Sequence, residues 1–188
     1  MINRKYHDIK HQIAGLRAET DSGRRNVWLN ELEQELDLLR DVGHTGNQVL
    51  DGILAAKMGY CRKNHIKITC VADGDILKGI HVTDICTIFG NALDNAVECV
   101  SLLEDEKKLI HFSVTKEKNF IFIRVENYCD RELETGKDGL PVTTKPDKKE
   151  HGYGMKSIRM SVEKYHGSMS YTLKDHWFEL KILIPLTA

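Results

Sequence analysis

The chain has 188 residues, a formal net charge of -1, 41% hydrophobic and 29% charged residues. That length suits one sizeable core plus an accessory element, and near-neutrality without a basic stripe gives no case for nucleic acid. Five cysteines, an odd number with no CxxC spacing, argue for reduced thiols and against a disulfide framework or zinc knuckle.

The first predicted elements are two helices. Ile2, Tyr6, Ile9, Ile13 and Leu16 recur at alternating spacings of four and three. The breaker TDSGRRN follows, and then VWLNELEQELDLL repeats Leu29, Leu32, Leu36 and Leu39 at heptad spacing. Two narrow apolar seams joined by a short turn bury little surface alone, so pairing with a second copy as a dimerising four-helix bundle is expected. A hairpin laid on the chain's own sheet is the alternative, because seam width does not fix oligomer state.

From about Tyr60 the texture changes. IKITCVA alternates as a half-buried strand does. HVTDICTIFGNALDNAVECVSLL is a long amphipathic helix with Ile85, Ile88, Phe89, Leu93, Ala96 and Val100 toward a core. KLIHFSVTKE and NFIFIRVEN predict a hairpin around Lys118-Asn119. Tyr128 to Glu150 is polar, lysine-rich and without periodicity, a loop long enough to be read as a functional lid. MKSIRMSVEKYHG predicts a helix ending at Gly167 with His166 as a cap favoured by the helix dipole. SMSYTLKD and WFELKILIPL complete the set as two strands. Strands with segregated helices imply an α+β sandwich. The expected division is a helical hairpin over residues 1–59 and the sandwich over 60–188.

Chemistry concentrates on two stretches. Asn91, Asn95 and Glu98 fall at i, i+4 and i+7, one stripe opposite the apolar one. Two amides and a carboxylate in register can offer oxygens to Mg²⁺, which needs few protein ligands and arrives with phosphates; a solvated polar face is the plainer reading. In HGYGMKSIR, Gly152 and Gly154 precede a helix whose first N–H groups favour an anion, and Lys145 and Lys156 bracket the turn.

The order NALDNAVE, VEN after a strand, a lid, HGYGMKS and a closing YHG resembles the ATP-binding domain of sensor histidine kinases in the GHKL superfamily. RKYHDIKHQI resembles the phosphoacceptor box of the subfamily that includes Gram-positive quorum-sensing peptide receptors. The resemblance implies a homodimer through the N-terminal antiparallel helical hairpin, followed by a GHKL (Bergerat) α/β sandwich that binds ATP and Mg²⁺. It implies His7 as phosphoacceptor and Asn95 as the Mg²⁺ ligand; Asp8, directly after His7, can orient the ring or take its proton as a base. It places Asn91, Asn95, Glu98, Asn127, Lys145, His151, Gly152, Gly154, Met155 and Lys156 at the ATP site. A response regulator's receiver domain is the implied partner. Cytoplasmic location and membrane sensor segments N-terminal to this stretch are implied as well.

Two departures have consequences. VENYCDR stands where many relatives carry DxGxG, so Asn127 replaces an adenine-reading Asp. An amide accepts from adenine N6 or, turned over, donates to guanine O6, so weaker base discrimination is expected than with a carboxylate. Asn91 stands where the superfamily's ATP hydrolases carry a glutamate base, so water activation there is lost and transfer to a self-sufficient nucleophile is favoured. A neutral imidazole such as His7 is one. His7 and His11 also have the i, i+4 spacing of a zinc pair, but Asp8 is shorter than the required Glu and no third ligand is evident. The alternative function is a phosphotransfer or scaffold dimer with a degenerate nucleotide site.

Overall fold

A computed structural model describes residues 44–130, 140 and 153–186. The chain divides into two compact units, residues 1–43 and 44–188, and the described elements belong to the second. The expected N-terminal hairpin and nearly all of the long loop lie outside the described residues.

The second unit opens with a helix that the sequence pattern did not predict, α1 (Gln48–Lys63), which runs across the boundary expected at residue 60. Its start is chemically well marked. The Asn47 side chain accepts from the N–H groups of Val49 and Leu50, and Asp51 sits in the first turn. Its apolar signal is thin, because only Leu50, Leu54 and Cys61 are buried.

Strand β1 (Lys67–Ala72) follows, then α2 (Val82–Ser101), β2 (Leu109–Glu117), β3 (Phe120–Tyr128), α3 (Tyr153–Glu163), β4 (Ser168–Lys174) and β5 (Trp177–Pro185). The five strands form one sheet in the order β1-β2-β3-β5-β4. β1 and β2 pair in parallel, which the crossover through α2 permits, and all other pairs are antiparallel. Buried residues alternate along the central strands: Ile110, Phe112 and Val114; Ile121, Ile123 and Val125; Leu180, Ile182 and Ile184. Because the strand period is two, these line one face, and the helices cover it. The opposite face carries charge: Arg124 bridges Glu126 and Glu179, and Lys181 also reaches Glu179. The α+β sandwich is therefore a helix layer on a single sheet.

Helix α2 is the centre of the core. Ile85, Ile88, Phe89, Leu93, Ala96 and Val100 are buried as their periodicity predicts, and Phe89 meets Phe112 edge-on at 5.8 Å between centroids. Each of the larger of these buried side chains (Ile85, Ile88, Phe89, Leu93 and Val100) contributes about 1.5–3 kcal/mol.

The turns follow local backbone chemistry. Lys118 takes a positive φ of 55° at the predicted β2–β3 turn, and Asp175 and His176, at 50° and 63°, turn β4 into β5. The C-terminal end of α3 differs from expectation. The helix stops at Glu163, and His166, not the glycine, occupies the left-handed region at φ 55°. Gly167 is needed for space: a Cβ there would lie 2.7 Å from the Leu183 carbonyl oxygen.

Candidate functional site

Helices α2 and α3 meet where the two chemical stretches of the sequence come together. Asn91 and Asn95 are half-buried on α2, and Glu98 is exposed one turn further along. The Asn91 Nδ2 donates to the Thr87 carbonyl at 2.7 Å, which commits its NH₂ to its own helix. Its Oδ1 is then the atom turned toward α3. A Cβ on Gly154 would lie 3.3 Å from Asn91 Oδ1, and 3.5 and 3.7 Å from Asn95 Oδ1 and Nδ2. Glycine thus lets the first turn of α3 approach both amides closely. Among the described residues no hydrogen bond engages the Asn95 amide. A half-buried oxygen without a partner, beside the N-terminus of an eleven-residue helix, suits a hydrated Mg²⁺ accompanied by phosphate.

Met155 is half-buried and Lys156 exposed in the same turn. His7, Asp8, Lys145, His151 and Gly152 lie outside the described residues.

Asn127 sits near the end of β3, next to Tyr128, whose carbonyl Cys99 of α2 approaches. It is 2% exposed, continues the buried row of β3 beyond Val125, and pairs in register with Ile110 and Phe178. Its Nδ2 donates to the Tyr128 carbonyl at 2.9 Å, and the Cys99 thiol of α2 approaches that oxygen at 3.7 Å. One N–H of the amide is therefore engaged and the second is left, and turning the amide over would set Oδ1 against the Tyr128 carbonyl.

Two contacts near the site were not legible in the sequence. Lys57 of α1 forms an ion pair with Asp94, between the two asparagines on α2. Asp84, in the first turn of α2 and 5% exposed, accepts from Lys164 Nζ and Tyr165 Oη, both at 2.7 Å, and from Ser161. The Lys164 bond, with those of Tyr165 and Ser161, holds the Asp84 carboxyl below its ordinary value against the opposing effect of burial. These partners are 77 to 81 residues away in sequence, so no local pattern announces them.

The cysteines carry no chemistry here. None of the five is in a disulfide, and burial pushes the Cys61 and Cys70 thiols up to about 11.

The profile of the GHKL domain family matches residues 80–185, from the cap of α2 to the end of β5. The chain belongs to the GHKL family. A curated relative from Halalkalibacterium halodurans, named a probable C4-dicarboxylate sensor kinase, is 25% identical over 175 residues, covering 89% of this chain. The chain spans 33% of that relative's length. Among solved structures, the catalytic domain of histidine kinase ThkA in a nucleotide-free form superposes with a TM-score of 0.60 at 18% identity, covering 76% of this chain and 95% of that one. Histidine kinase AdeS from Acinetobacter baumannii gives a TM-score of 0.50 at 12% identity, covering 100% of this chain and 98% of that one. At those identities the structures show the fold, a GHKL domain in which α2 and α3 border the candidate site. Among the described residues no helix is long and apolar enough to cross a membrane.

Proposed function

We propose that the chain is the catalytic region of a sensor histidine kinase of a two-component system, an ATP-dependent kinase that phosphorylates its own His7. The observation that carries this reading is the approach of Gly154 to the Asn91 and Asn95 amides at the start of α3. The start of a helix and an amide oxygen with no partner among the described residues stand close together there, which supports binding of a triphosphate and its cation. Mg²⁺ held by Asn95 would neutralise phosphate charge when bound. Gly152, Gly154 and the adjoining His151, Met155 and Lys156 would cradle the phosphates, with Lys145 from the loop. Asn127 would face the base.

Phosphoryl transfer then needs mainly positioning. A ring nitrogen of His7 attacks the γ-phosphorus, the bond to the β,γ-bridging oxygen breaks, and ADP leaves with that oxygen. Asp8 takes the ring proton. Asn91, an amide, has no basicity with which to activate water, so the ATP is directed to the imidazole. The phosphoryl group passes next to an aspartate of a response regulator. The N-terminal helices pair two copies, and the region is the cytoplasmic part of a cell-membrane receptor. The opening RKYHDIKHQI supports the subfamily that includes quorum-sensing peptide receptors; the signal named for the Halalkalibacterium relative is that protein's own.

The test is incubation with γ-labelled ATP. Wild type should acquire an acid-labile, base-stable label, His11→Gln should retain part of it, and His7→Gln should lose it while still binding ATP. Label persisting on His7→Gln would overturn the acceptor assignment.

A further inference from the structure

The Asp84 carboxylate is buried, takes three hydrogen bonds and has no part in the proposed chemistry. All three donors stand at the C-terminal end of α3 or just after it: Ser161, Lys164 and Tyr165. Tyr165 Oη in turn accepts from the His81 N–H at 2.9 Å, the capping residue of α2. At the other end of the same helix pair, Gly154 lies against Asn91 and Asn95. The two helices therefore run antiparallel, tied by hydrogen bonds at one end and meeting at the candidate site at the other.

Between those ends α3 buries Ile158 and Val162. Apolar packing is non-directional and tolerates small axial slips, whereas several hydrogen bonds to one carboxylate do not. A slip by one residue shifts a helix by about 1.5 Å. That is nearly half the 3.3 Å separating a Gly154 Cβ from Asn91 Oδ1, and it would exchange the glycine for Tyr153 or Met155. We propose that Asp84 is a positioning residue: its bonds to Ser161, Lys164 and Tyr165 fix the register of α3 along α2 and so set Gly154 against the two asparagines. Fixing register is the best-attested use of a buried polar group. The functional consequence rests on the reading of this site as a nucleotide site.

The experiment uses the full chain and two readouts. One is the nuclear Overhauser contact between the Gly154 α-protons and the Asn91 and Asn95 side-chain amides, without nucleotide. The other is calorimetric affinity for ATP with Mg²⁺. Asp84→Asn should weaken the contact and lower affinity about tenfold, within the range by which remote packing residues modulate a site. Tyr165→Phe, which removes one hydrogen bond and keeps the ring, should do the same to a smaller extent if Asp84→Asn folds poorly. Arg124→Gln, which breaks the ion pairs to Glu126 and Glu179 on the sheet face opposite the helices, should lower thermal stability slightly and leave both readouts unchanged. If Asp84→Asn and Tyr165→Phe lower the melting temperature but keep contact and affinity at wild-type values, the network is only structural and the proposal falls. It falls equally if the contact weakens and affinity does not. A wild type that shows the contact, loses it in Asp84→Asn and binds no nucleotide refutes the nucleotide reading instead, with the register role intact.

Discussion

Replacing Gly154 with alanine separates the two reasons a glycine could open α3. The φ of Gly154 is not in the left-handed region, so alanine adopts the backbone without strain. In such positions Gly→Ala stabilises a fold by about 0.4–1 kcal/mol through the unfolded state, less at a helix end. Against this stands the new methyl group, 3.3 Å from an Asn91 oxygen held in place through the 2.7 Å bond to Thr87. That contact is tight, but the atom met is the end of a side chain that can give by a few tenths of an ångström. The two effects nearly offset, leaving a net change within about 0.5 kcal/mol, or roughly 2 °C in melting temperature for a domain of this size. Nucleotide binding has no such offset. The methyl crowds the Asn91 and Asn95 amides of the proposed site, and loss of one charge-assisted hydrogen bond to phosphate costs about 1.5–3 kcal/mol, at least about tenfold in affinity. The paired assays are thermal unfolding without ligand and calorimetric titration with ATP and Mg²⁺. Near-constant melting with lost affinity is the expected result. Unchanged affinity would show that the glycine serves helix packing alone, and the phosphate reading would fail with it.

Two further outcomes follow from side-chain partners. The Asp84 carboxyl is held below its ordinary value of 3.8 by Lys164 first, so its contribution to stability is fully present above that value and is lost as pH falls through the lower folded value. Melting temperature measured against pH should show an acid limb that Asp84→Asn flattens, and an unaltered limb would refute the assignment. At Asn127 one N–H is given to Tyr128, which leaves Oδ1 to accept from adenine N6 and the second N–H to donate to guanine O6. Competition binding should show weaker discrimination between ATP and GTP in wild type than in Asn127→Asp, whose carboxylate leaves guanine O6 unpaired against an acceptor at a cost of ~1–3 kcal/mol. A wild type that rejects GTP as strongly as Asn127→Asp would contradict the role given to Asn127.

The parts of this fold that were legible in the sequence are those with strong local period. The apolar stripe of α2, the strands on both sides of Lys118 and the β4–β5 hairpin each carry enough alternation to declare themselves. The polar stripe Asn91-Asn95-Glu98 was visible for the same reason. Helix α1 was not, because its buried positions are only Leu50, Leu54 and Cys61, too sparse to set a period. Parallel pairing of β1 with β2 depends on the path of the chain between them, which no strand pattern records. The Asp84 network and the Lys57–Asp94 pair join residues far apart in sequence, and a charged residue near a helix end reads locally as a solvated one. Gly167 was read as a helix stop, yet its constraint comes from the Leu183 carbonyl on another strand.

The account rests on a nucleotide site built from Asn95 and the first turn of α3, and calorimetric titration with ATP, with and without Mg²⁺, on wild type and Asn95→Ala tests it most directly. Wild type should bind more tightly with Mg²⁺ than without. In Asn95→Ala that gain should disappear, because the amide oxygen without another partner among the described residues is the one offered to the cation. Equal affinities for both proteins under both conditions would contradict the placement of the cation, and no binding by either would contradict the site itself.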